Sequence, residues 1–190
     1  MKRRPLSAVV LVLISLGGAA CGTGASGATP EPTATPAPTA LSFEGYQTAF
    51  CSGFTSLIRA VGNPDAGTPS VLSKSLDAAV TAGDGAAAER VGATITNELE
   101  LGRQQAALAG GWQPGKATTV ALDHVLVAFE TAVAAKVAVA KHAAGAVDPQ
   151  LALEQAGGVE AWAALVGGVG TLVPPAGASP KTCPAFSGTP

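Results

Sequence analysis

Few residue types in this chain could do chemistry. The most suggestive stretch is Gly110-Gly-Trp-Gln-Pro-Gly-Lys116, which places two glycines and a lysine at G-x-x-x-x-G-K, the spacing of a loop that cradles phosphates. The next residue is Ala117, where a hydroxyl should hold magnesium. Apolar residues at helical spacing precede the glycines, whereas a phosphate loop follows a strand. The stretch therefore reads as a turn between two helices, with Trp112 packed on the bundle end.

The only histidines, His124 and His142, are 18 residues apart on one candidate helix. Five turns separate them on one face, roughly 27 Å at about 1.5 Å per residue. They cannot share a metal ion within one chain. Asp123 and Glu130 are on the same side but about 10 Å apart along the axis, so a metal there needs ligands from another helix. Glu100 has Arg103 and Gln104 at helix-surface spacings, and Glu98 is close by. Paired carboxylates catalyse only in a cleft that perturbs them, and these read as a solvated face. No nucleophile elbow or supported serine–lysine pattern is present. No catalytic residue, metal ligand or cofactor is assigned.

The elements that would carry these residues begin with a segment that is not fold. Lys2, Arg3 and Arg4 precede an apolar run from Leu6 to Leu16, then small residues from Gly17 to Ala20. This is the pattern of a secretory signal, too short for a stable membrane span. Cys21 follows at once. Residues 1–21 resemble the lipobox of bacterial lipoproteins, although Gly18 stands where leucine is usual. The resemblance implies cleavage before Cys21, acylation of its thiol and often of the new amino terminus, including palmitate. Acyl chains on Cys21 would then hold the protein in the cell membrane, on its extracytoplasmic side.

Without the first twenty residues the chain keeps eight basic and thirteen acidic side chains, a formal charge of −5. No basic surplus is available to neutralise phosphates, which argues against nucleic-acid binding. Residues 22–40, GTGASGATPEPTATPAPTA, contain one charge and no large apolar side chain. They read as a disordered stalk, reaching about 60 Å if extended.

From Leu41 the apolar residues recur at three- and four-residue steps. Ser42 caps a helix carrying Phe43, Tyr46, Phe50, Phe54, Leu57, Ile58 and Val61, stopped at Gly62-Asn63-Pro64. Thr68-Pro69 reads as the start of a second helix, with Leu72, Leu76 and Val80. Asp84 caps a third, with Val91, Ile95, Leu99 and Ala106. A fourth runs from about Ala117 to His142, with Leu122, Val125, Leu126, Phe129 and Val133. Val120, Val127 and Val139 lie off that stripe, which marks the helix as central. Asp148-Pro149 caps a fifth, carrying Leu151, Trp162, Leu165, Val166 and Val169, with Gly157-Gly158 as a break point. The expected fold is all-α: an alanine-rich, antiparallel bundle of four to five helices over 41–190.

If Cys21 is acylated, Cys51 and Cys183 remain as an even pair in an oxidising compartment. They are expected to form a disulfide that pins the proline-rich tail on the first helix; the alternative is two buried thiols. The functional expectation is a non-catalytic interaction or binding module, with an envelope protein or cell-wall component as partner. The alternative is a metal- or small-ligand-dependent protein or enzyme with a site between helices around His124 and Glu130.

Overall fold

The computed structural model describes residues 40–64, 66–178 and 183. The signal segment, Cys21 and nearly all of the stalk lie outside the described residues. Within them the chain forms α1 (Phe43–Val61), a two-residue strand β1 (Gly62–Asn63) paired with β2 (Thr68–Pro69), and α2 (Val71–Thr81). Next come α3 (Gly85–Ala109), a single tight turn at Gln113–Gly115, α4 (Lys116–Ala140), α5 (Pro149–Gln155) and α6 (Gly158–Thr171).

Side chains that satisfy the first free amides set most helix starts. Ser42 Oγ accepts from Gly45 N–H, Asp84 Oδ1 from Ala87 N–H, and Asp148 Oδ1 from Gln150 and Leu151 N–H. The second helix departs from expectation. Ser70, not Thr68, is its cap: Ser70 Oγ accepts from Ser73 N–H and donates to the Ala60 carbonyl. This double use ties α2 to the end of α1. It leaves Thr68-Pro69 extended, paired antiparallel with Gly62–Asn63.

Four long helices make the bundle, and each runs antiparallel to the next. Gly111 at the end of α3 lies beside Leu41 at the start of α1. Gly85, at the start of α3, lies beside Lys141 just past α4, and Gly168 of α6 beside Thr118 of α4. Midway along, α1 and α3 meet through two glycines. A Cβ on Gly53 would stand 3.0 Å from the Gly102 carbonyl oxygen, and one on Gly102 3.2 Å from that of Gly53. Side chains there would force the axes apart.

The core is one cluster. Tyr46, Phe50 and Leu57 of α1 meet Ile95 and Leu99 of α3, Leu122, Val125 and Leu126 of α4, and Leu165 of α6. As expected, α4 is central, touching α1, α2, α3, α5 and α6. Its off-stripe valines are not uniformly covered, however: Val120 is 45% and Val127 37% exposed. The fifth stripe also divides. Gly157 adopts a left-handed conformation and separates α5 from α6. The helical phase therefore restarts at Gly158: Leu165 and Val169 turn inward, while Leu151 and Val166 stay exposed.

The Cys51–Cys183 disulfide is present, with the two Cα atoms 5.6 Å apart. It fastens the tail to the middle of α1, and Cys183 is buried.

The end of α4 contains one strained residue. His142 N–H donates to Val139 O and Ala143 N–H to Ala138 O, a reverse turn in which position 142 takes φ +51°. Glycine normally fills that position because a Cβ there is crowded. The imidazole is exposed and lies over Gly83. His142→Gly is therefore expected to stabilise the protein by roughly 1 kcal/mol. The measurement is the urea midpoint, which should rise at constant slope; an unchanged or lower midpoint would show that the ring contact outweighs the strain.

Candidate functional site

The phosphate-loop-like stretch forms a helix-to-helix turn. Its amides are used internally: Gly110 N–H donates to Ala106 O, Gly111 to Leu108 O, Trp112 to Ala109 O and Gly115 to Trp112 O. Amides spent on the preceding turn are not aimed at a phosphate. Trp112 packs on the bundle end as expected, with ring centroids 5.0 Å from Phe43 and 4.6 Å from Tyr46. Burial pushes the Tyr46 phenol up to about 12, with Thr119 drawing it partly back, so the ring is a neutral core group at ordinary pH. Its hydroxyl is fully buried and makes no hydrogen bond of good geometry among the described residues.

Four charged residues, Glu100, Arg103, Lys116 and Asp123, line a cleft of about 450 Å³ between the C-terminal half of α3 and the start of α4. Arg103 Nη1 donates to Glu100 Oε2 at 3.3 Å, and its Nε donates to Asp123 Oδ1 at 3.1 Å. Gln104 Nε2 donates to Glu100 Oε1 at 3.4 Å. The contacts within α3 were readable from spacing, but Asp123, on the facing helix, was not. The hydrogen bond that Arg103 donates to Asp123, helped by the charges of Asp123, Glu100 and Glu130, raises the pKa of Arg103 above its ordinary value. This network ties α3 to α4. With side chains 37% to 51% exposed, each pair contributes on the order of 0.5 kcal/mol.

The structure does not bring the other sequence candidates together. His124 is exposed on the outer side of α4, and Glu130 is half-buried. His142 lies beyond the helix end, not on a shared helix face with His124 as expected. Among the described residues no three His, Cys, Asp or Glu side chains stand where they could hold one metal ion. Glu98 is half-buried, and its Oε2 is buried without a hydrogen-bond partner among them.

Fold and site together define an all-α, disulfide-closed bundle with a charge-balanced cleft between α3 and α4. Compared with protein-family models, curated proteins and solved structures, the chain matches none.

Proposed function

We propose that this chain is a lipid-anchored, extracytoplasmic binding module. The observation that carries the reading is the disulfide between Cys51 and Cys183. Such bonds persist in oxidising compartments, and export to one agrees with the basic, apolar and small-residue zones that end at Cys21. The stretch from 22 to 40 then spaces an acidic domain from an anionic membrane surface. No described helix is long and apolar enough to cross a membrane. On this reading the protein presents a surface or a cleft, and an envelope protein or a cell-wall component is its partner class. Support for a binding over a catalytic role comes from Glu100, Arg103, Gln104 and Asp123 in the α3–α4 cleft, which are engaged with one another as a cross-tie.

The anchoring half of the proposal is tested by Cys21→Ala. The wild-type chain should sediment with membranes and incorporate labelled palmitate. The variant should move to the soluble fraction unlabelled, with the domain's disulfide intact. Membrane association that survives the substitution would overturn the anchor. The binding half is tested by crosslinking in native membranes together with metal analysis of the purified chain. A defined crosslinked partner or ligand is expected, and stoichiometric metal without either would overturn it.

A further inference from the structure

A second cleft, of about 370 Å³, opens where α2 and α5 lean against α4, near the end of α1. Its inner wall is apolar: Leu76 of α2, Ile95 of α3, and Phe129 and Val133 of α4, closed by Leu153 of α5. Leu76 and Ile95 are each 1% exposed, so the cleft reaches the core and is not a surface dimple. Its polar groups are few. Ser73, Lys136, Asp148 and Gln150 contribute to the lining; Lys136 is paired with Asp77 of α2, and Gln150 donates to Glu154. This composition, an apolar body with a few polar groups, and this volume fall in the range of small-molecule sites.

The geometry points to a ligand site for an uncharged amphiphile, with an apolar chain or ring against Phe129 and Val133 and a hydroxyl- or amide-bearing head among the polar groups. The charges select the head. An ammonium carries three N–H donors, and Asp77 engages Lys136 while leaving donors for a ligand oxygen. Asp148 Oδ1 accepts the two amides that start α5, which leaves the other carboxylate oxygen for a ligand O–H or N–H. A carboxylate head would meet Asp77 and Asp148 together with one lysine. An ammonium head could pair only with Asp148, since Asp77 already holds Lys136, and it would share the cleft with that lysine's charge. A hydroxyl both accepts from Lys136 and donates to Asp148, and adds no charge to a set that already holds both signs.

This names the ligand class of the binding module and rests on that reading, but its test does not depend on the anchor. The full chain carrying Cys21→Ala is titrated calorimetrically with 1-monodecanoylglycerol, decanoate and decyltrimethylammonium, each below its micelle concentration. The neutral probe should bind at one site per chain, at least about tenfold tighter than either ion. Ala132→Phe fills the cleft from α4 and should abolish binding while the thermal transition stays cooperative. Ser73→Phe, from the less buried wall, does the same if the first variant fails to fold. Lys136→Met should weaken the neutral probe about tenfold.

Absence of saturable binding by the neutral probe overturns the assignment, as does tighter binding of either ion. Folded, filled variants that bind like the parent place the probe elsewhere and overturn it too. A crosslinked macromolecular partner captured equally by parent and filled variants would leave the module standing and remove only this cleft.

Discussion

Replacing Gly62 with alanine is expected to destabilise the protein by about 4 kcal/mol, a large share of the stability of an ordinary domain. Gly62 joins α1 to the short strand pair with φ +104° and ψ −169°, a region that side-chain-bearing residues scarcely enter. Holding one there costs roughly 1–3 kcal/mol. The surroundings add a second cost. A Cβ would run into the Thr68 carbonyl oxygen, and would lie 2.6 Å from Ser70 N and 2.7 Å from Pro69 Cα. All three are backbone atoms, so no side chain can swing aside. Any shift must break the Gly62–Pro69 pairing or the Ser70 contacts that join α2 to α1. Gly67, five residues past Gly62, is the internal control. It has φ +58° and open space where a Cβ would go, so Gly67→Ala should cost only about 1 kcal/mol. Equal midpoints for the two variants in chemical denaturation would refute the crowding argument.

The second large effect is expected from breaking Cys51–Cys183. The two residues are 132 apart, and the chain-entropy relation for so long a loop gives about 5 kcal/mol, with measured bridges more often at about 2–4 kcal/mol. Cys51→Ala with Cys183→Ala should therefore lower Tm by about 10 °C at the sensitivity of a 150-residue domain. The substitutions remove little packing on the half-buried Cys51 side, so most of the loss should come from the released loop. Dithiothreitol should produce the same shift in the wild type and none in the double variant. A double variant as stable as the oxidised parent would show that the tail docks by packing alone.

The bundle was legible where the signal is local. Ser42, Asp84 and Asp148 are caps that act within three residues, and each starts its helix as read. The stripes on α1, α3 and α4 were legible because burial on one helix repeats with a fixed period. Reading failed where two signals competed or where distant segments met. Thr68-Pro69 has the form of a helix start, but Ser70 can also reach the Ala60 carbonyl, which only the folded chain reveals. Val166 looked buried because α5 and α6 were phased as one helix, and the turn at Gly157 resets that phase. Glu100 and Arg103 were visible as neighbours on one helix, while Asp123 joins them from 20 residues away. The cleft by Phe129 draws its walls from several helices, so no contiguous stretch announces it.

The point at which the tail is fastened has a mechanical consequence. A pull on the chain ahead of Phe43 enters the domain at the first turn of α1. Unwinding can proceed for about two turns before it reaches Cys51. There the load passes through the sulfur bridge to Cys183 and into the segment that follows α6. Peeling α1 further means dragging that segment with it, so the applied force is shared between the first and last helices instead of opening the bundle one helix at a time.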